Sequence, residues 1–384
     1  MRTLGVFLSI ISFSAALLAQ EKQSLPSRLA QKGILNHMDV GVTAGTMGIG
    51  IDLAVPVTDY VRIRAGYSYM PRFTIKSNFP IETSNGGFAQ SISKDFGLES
   101  LDKEQINTFI NNNSTLFEQP QYQDVKDFFV DICNLEEINS DATMGFKPNL
   151  HQFRFLVDVM PFRNNKHWSF TTGFFAGPSN IASASNLEKE TTLLRCVLDY
   201  NNIYIKTCDQ SLPDIYMTDR CGTIHDITSM LKKAGVAGFP LGFFEDGDKA
   251  MMVPAPNATV RAEMEISKIR PYIGFGYNTH LSRNKKWNMN VDAGVMFLCG
   301  KPRVYVDNVY KIDVKSINID EDNFDIVHPN EDGSDFVVDE PLSHIDLVRD
   351  MYNMPNGKVR DMVNTISKFK VYPNLSVTFS YRLY

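Results

Sequence analysis

A two-residue alternation of apolar and polar side chains recurs along this chain and is cleanest near its end. From Val371 to Tyr384, positions Val371, Leu375, Val377, Phe379, Tyr381 and Leu383 are apolar or aromatic, while Asn374, Ser376, Thr378, Ser380 and Arg382 are polar. Successive side chains of a β-strand point to opposite faces, so this period predicts a strand with one apolar and one polar side. Trp287 to Cys299 repeats the rule, with Trp287, Met289, Val291, Ala293, Val295 and Phe297 against Asn288, Asn290, Asp292 and Gly294. Six more segments follow it: 39–45, 48–57, 60–70, 152–162, 168–177 and 269–277. Parity flips between Gly45 and Gly48, which requires a tight turn or a bulge. Residues 260–266 alternate in the opposite phase to the strand after them, which predicts a break near Ser267-Lys268.

The polar positions decide what kind of sheet this is. Asp52, Arg62, Arg64, Arg154, Asp158, Arg270, Asp292 and Arg382 fall on faces opposite apolar ones. Such charges are hard to place in a soluble sandwich, whereas in a barrel closed within lipid they point inward and the apolar face meets the bilayer. The expected fold is therefore an all-β membrane protein, an eight-stranded antiparallel transmembrane β-barrel. Eight strands leave an interior just wide enough for side chains to fill. The inward charges must pair with one another, because an uncompensated buried charge is strongly destabilising. The expectation is a plugged polar lumen; the alternative is a narrow channel or small-solute transport protein, favouring anions because arginines outnumber aspartates. Trp168 and Trp287 begin two of the strands beside short basic turns, the place of interfacial aromatics.

Link lengths set the orientation. The links after the second, fourth and sixth strands are short, and those after the third, fifth and seventh are long, spanning about 78–148, 180–258 and 301–368. Short periplasmic turns and long outer loops are the asymmetry of outer-membrane barrels, and an even strand count leaves both termini periplasmic. Acidic residues outnumber basic ones 12 to 4 in 79–148, 10 to 7 in 181–258 and 14 to 8 in 301–368. With a net charge of −6 for the whole chain, the barrel and its short turns are basic and the acidity lies outside.

The loops carry their own patterns. Leu98, Leu101, Ile106, Phe109 and Ile110, then Val125, Phe128, Phe129 and Ile132, recur at helical spacing and predict a helical cap, with a turn at 111–115. Ile203-Tyr204-Ile205 reads as β-prone, a helix is expected near 224–234, and the Phe-rich stretch 235–247 reads as an adhesive tip or as core under a loop. Val359, Met362, Val363, Ile366 and Phe369 predict a helix lying as a lid over the barrel rim. The acidic tract 320–340 offers hard oxygen ligands, but its spacing fails that of an EF-hand, and no metal or cofactor is expected.

Residues 1–19 carry Arg2, an apolar run and a small exit residue, the form of a secretory signal peptide; 20–36 is then a periplasmic N-terminal segment and 37–384 the barrel with its loops. Five cysteines allow a candidate disulfide between Cys196 and Cys208, with Cys133 and Cys221 as competitors. No catalytic residues are expected: His151 shares the parity of Phe153 and faces lipid, and His225-Asp226 has nothing convergent around it. The acidic exterior would repel nucleic acid.

These features together resemble the small outer-membrane β-barrel proteins of Gram-negative envelopes, of the OmpA, OmpX and OmpW kind, with longer loops. The resemblance rests on the strands, the leader and the terminal Tyr381-Arg382-Leu383-Tyr384. It implies that Phe379, Tyr381, Leu383 and Tyr384 form a C-terminal signal for the barrel assembly machinery, with Tyr384 out of phase with the others. Outer-membrane lipids and an unidentified extracellular ligand or protein are the other partners expected. The function anticipated is a non-enzymatic surface protein whose acidic loops serve adhesion, partner binding or envelope stability.

Overall fold

The computed structural model describes residues 37–83, 86–90, 103–135, 139–208, 211–218, 224–312, 318–319, 326–327, 341–355 and 357–383. The leader, the segment 20–36, Leu98, Leu101, Cys221, most of the acidic tract and Tyr384 lie outside these.

Eight strands close into one antiparallel barrel in chain order. They are β1 (Asp39–Gly45), β2 (Gly48–Thr58), β3 (Val61–Tyr69), β4 (His151–Val159), β5 (Trp168–Ala176), β6 (Ile269–His280), β7 (Trp287–Phe297) and β8 (Val371–Arg382). β1 and β8 pair from Asp39↔Arg382 to Gly45↔Ser376, which seals the seam. The Gly45–Gly48 parity flip is a tight turn, Gly45 pairing directly with Gly48. The alternation is that of a wall between lipid and a polar interior. Val42, Ile49, Phe153, Ile269 and Phe275 are all more than half exposed on the outside, while Asp158, Thr171 and Arg270 are completely buried on the inside. Among the described residues no helix is long and apolar enough to cross a membrane; the crossing is made by strands.

Above the rim the wall does not end where the barrel does. Strands β3 to β7 continue, after short breaks, into a second sheet. Its order is Ile345–Asp346, Arg303–Val306, Arg261–Glu265, Asn180–Asn186, Asp141–Pro148 and Ile75–Pro80. The break expected near Ser267-Lys268 separates Arg261–Glu265 from β6. A five-stranded sheet made of Val309–Ile312, Lys249–Met252, Ala237–Phe243, Glu82–Thr83 and Gly86–Gly87 adds a further layer. β8, β1 and β2 have no such continuation, so this second domain, called the ectodomain only for its place outside the barrel, rises from one side of it.

Helices complete the ectodomain: α1 (Lys103–Asn112), α2 (Gln123–Asn134), α3 (Thr191–Cys208), α4 (Ile227–Ala234) and α5 (Lys358–Lys368). In α2 the stripe Val125, Phe128, Phe129 and Ile132 is buried to 2% exposure or less, and packs with Leu193, Leu194, Val197 and Tyr200 of α3. The side chain of Asp226 caps α4 by accepting from the Ser229 amide at 3.1 Å, one of the backbone donors a helix start leaves free.

Three expectations change here, and one open alternative is decided. Ile203-Tyr204-Ile205 is helical, because Leu193, Val197, Tyr200 and Tyr204 form a buried stripe at helical spacing that overrides the local β propensity. The candidate disulfide fails for the same reason: Cys196 and Cys208 lie on one rigid helix, about 18 Å apart along its axis, far beyond disulfide reach. Of the two readings of the Phe-rich stretch the core one holds and the exposed tip falls, since Ala237–Phe243 is a buried strand in which Phe239 is 1% exposed. Finally, α5 is a helix as expected, but Val363 buries itself in the ectodomain core with Val304 and Val306, and other residues close the barrel mouth.

Candidate functional site

The lumen gathers most of the inward residues legible in the sequence. Asp158 is the hub. It accepts from Arg62 Nε at 2.8 Å, Arg64 Nη2 at 2.7 Å and Thr171 Oγ1 at 2.8 Å. Arg64 also reaches Asp292, whose other oxygen accepts from the Tyr272 hydroxyl at 2.6 Å. Nearby, Arg154 forks onto Asp52, donating from Nε at 2.6 Å and again from Nη2, and Thr43 donates to the same carboxylate. Thr43 in turn lies 2.6 Å from Thr378. Asn374 donates to the Tyr272 hydroxyl at 3.4 Å. These two bonded sets, one around Asp158 and Asp292 and one around Asp52, together draw on every barrel strand. Charge-assisted bonds of this kind are the strong ones, and a buried pair that stays fully hydrogen-bonded avoids the cost of a stranded charge.

Backbone makes room for these groups. A Cβ on Gly66 would lie 2.1 Å from Asp52 Oδ1, and Cβ atoms on Gly274 or Gly294 would each meet the Tyr272 hydroxyl at 2.5 Å. These glycines are the floor on which the Asp52–Arg154 pair and the Tyr272 ring rest.

Two of the expected lumen residues sit apart from the hub. Arg382 pairs at 3.4 Å with Asp39 on the neighbouring strand, across the seam. Arg270 meets no carboxylate among the described residues. At the neck it donates to the Ser267 carbonyl at 2.7 Å, to Gln152 Oε1 at 3.0 Å and to the Pro178 carbonyl. Three strand-to-ectodomain junctions are thereby tied by one guanidinium.

The outer end of the lumen is closed differently. Leu156, Phe175, Tyr272 and Met296 point inward, and Met47 from the first tight turn joins them with Leu150, Ile266 and Leu298 in a buried apolar cluster. The rings of Phe175 and Tyr272 meet edge-on at 5.3 Å. Attention to charges among the inward positions passes over these apolar residues and Thr43; Asp39 escapes notice for another reason, as the first residue of a seven-residue strand. Their signal was present: Leu156, Phe175, Tyr272 and Met296 share the parity of Arg154, Thr171, Arg270 and Asp292.

Trp168 and Trp287 stand half-exposed at the short-turn end of the wall, packed edge-on against Tyr277 at 4.9 Å and Tyr381 at 5.1 Å. Phe379 and Leu383 are half-exposed on the outer face of β8.

No family model and no curated protein matches the chain. Among solved structures, Acinetobacter baumannii CarO2 aligns over 90% of this chain and 98% of its own at 11% identity, with a TM-score of 0.32. CarO from the same organism aligns over 91% and 98% at 10% identity, with a TM-score of 0.31. Superposition that loose transfers nothing about function. The architecture of a small outer-membrane barrel rests on the strand register and the two faces of its wall.

Outside the membrane, two buried groups of α3 are strongly perturbed: burial pushes the Cys196 thiol well up, with the Asp131 and Asp199 carboxylates adding to it, and Asp199 is raised as well. Burial between α2 and α3, reinforced by the carboxylates of Asp131, Asp127 and Asp124, pushes Asp199 up to about 7. Burial also raises Asp131, against the pull of Arg195, whose Nε lies 3.7 Å away.

Proposed function

We propose that the protein is a non-conducting outer-membrane anchor that displays a folded acidic ectodomain for adhesion, partner binding or envelope stability, without enzymatic activity. The observation that carries this reading is the filling of the lumen: two bonded sets of charged and polar side chains that together draw on all eight strands, topped by an apolar cluster at the mouth. A conducting pore needs a continuous wet path and charges free to exchange with ions. Here the network's carboxylates are held by arginine, and the mouth is lined by Leu156, Phe175 and Met296. In this reading the ectodomain is extracellular, both termini are periplasmic, and the outward Phe379, Tyr381 and Leu383, with Tyr384 beyond them, engage the barrel assembly machinery. The long-loop end is the acidic, folded end, which suits the outside of the cell.

Planar-bilayer recording of the folded protein tests the closed lumen. No steady conductance is expected; large, steady anion-selective currents would replace this reading with the narrow channel. Protease treatment of intact cells tests the orientation, with cleavage expected in the ectodomain loops and not in the short turns.

A further inference from the structure

The cations of this protein fall into two populations. In the lumen Arg62, Arg64, Arg154 and Arg382 each have an aspartate partner. At the neck, where barrel passes into ectodomain, the pattern reverses. The connecting segments 70–74, 149–150, 177–179, 266–268, 298–302 and 368–370 contain Arg72, Lys268, Lys301, Lys368 and Lys370 and not one acidic residue. All five cations are exposed, and none has an ion-pair partner among the described residues. This is a basic collar beneath an acidic ectodomain.

Its height is fixed by the wall below. Lys268 directly precedes Ile269, which is 62% exposed on the lipid face, and Lys370 lies between Phe369 and Val371, 50% and 37% exposed. The backbones of both lysines are pinned at the rim, with Gly177 donating to the Lys268 carbonyl and Leu298 to that of Lys370, each at 3.0 Å. The collar thus begins where the apolar belt stops, at the level of lipid headgroups. A cleft of about 440 Å³ opens in it, with Ser267, Lys301, Arg303 and Arg349 among its lining, and Glu265 and Asp346 on the ectodomain wall. Arg349 is held by Asp350 at 2.6 Å and Arg303 lies 3.8 Å from Asp346, leaving Lys301 as the cation of the cleft without an ion pair among the described residues, with the Glu265 carboxylate on the ectodomain side.

We propose that this collar binds the phosphate groups of outer-leaflet lipid, with the cleft between the tops of β6 and β7 as its tightest seat. An anionic headgroup supplies the counter-charge that these exposed cations lack, and basic residues near an anionic lipid surface are drawn to it. Long lysine stems cover the apolar rim while their ammonium groups reach upward to the phosphates. The assignment rests on the outward orientation proposed above.

The test uses the full-length folded protein in detergent, incubated with diphosphoryl lipid A or with the same lipid stripped of its phosphates, and native mass spectrometry to count retained lipid. Wild-type protein is expected to hold the diphosphoryl form at least tenfold better. The K268Q/K301Q/K370Q variant is expected to lose at least tenfold in retention, while K285Q/K286Q at the opposite rim retains wild-type levels. Equal retention of the stripped lipid overturns the proposal, as does equal retention by the collar variant. The lipid comparison is made on wild-type protein and so stands even where the triple variant fails to fold. Because retention is read on purified protein and orientation on intact cells, failure of one leaves the other intact.

Discussion

The barrel and the ectodomain are built on opposite rules within one chain. In the barrel, Ile49, Phe153 and Phe275 face outward while Asp158 and Arg64 are sealed inside; in the ectodomain, Phe128, Leu194 and Tyr200 are sealed inside and the charges lie mostly on the surface. One interior is held by directional, charge-assisted bonds and the other by non-directional burial of apolar area. The difference teaches where each half is fragile. The barrel core depends on a few irreplaceable partners, whereas the ectodomain core distributes its stability over many contacts.

The sharpest way to break that contrast is at the hub. Replacing Asp158 with Leu strands Arg62 in a closed interior and leaves Arg64 with Asp292 as its one carboxylate, and breaking such a buried pair costs about 3 to 5 kcal/mol. The midpoint of heat-modifiable gel migration should fall steeply, and an unchanged midpoint would show that the network does not hold the barrel. Leu194→Ala, at a site with 0% exposure, should cost about 2 to 5 kcal/mol in the ectodomain alone. Proteolysis of the ectodomain should then accelerate while barrel migration stays as it was; loss of both would mean that the halves fold as one unit.

A smaller effect follows from Asp199. Its folded-state value of about 7 lies above the ordinary 3.8, so its proton favours the folded state. That contribution is full below about pH 3.8, declines as pH rises, and is gone above pH 7. The ectodomain should therefore resist protease better at pH 5.5 than at pH 8, and Asp199→Asn should flatten that slope. The smallest effect belongs to Lys166 and Asp59, an exposed pair 3.6 Å apart at the short-turn rim. Lys166→Ala should shift unfolding by less than about 1 kcal/mol, and a larger loss would give that turn a structural role it does not show.

The same contrast explains what the sequence could disclose. The barrel was legible because lipid outside and a narrow lumen inside force every residue of a strand to choose a face, so Trp287 to Phe297 announces its phase residue by residue. Parity alone could assign Asp52, Arg62, Arg64, Arg154, Asp158 and Asp292 to the inward face. Which carboxylate each arginine takes was not legible, because strand tilt brings Arg64 to Asp292 four strands away. The ectodomain obscured more. Ala237–Phe243 is buried on both faces and shows no alternation, and Cys196 and Cys208 looked like a bridge only while the helix joining them was unseen. The upper sheet is made of strands four to eight residues long, apart from the two-residue Ile345–Asp346, too short to declare a period before a neighbour pairs with them.

Arg270 has a mechanical consequence. It ties Ser267 before β6, Gln152 at the start of β4 and Pro178 after β5 into one joint, just where the five rising strands pass into the upper sheet. A pull on the ectodomain is then shared among strands loaded along their length, so that many ladder bonds must slide together before any yields. Without that joint, the same pull would reach one hairpin at a time and peel it from the wall.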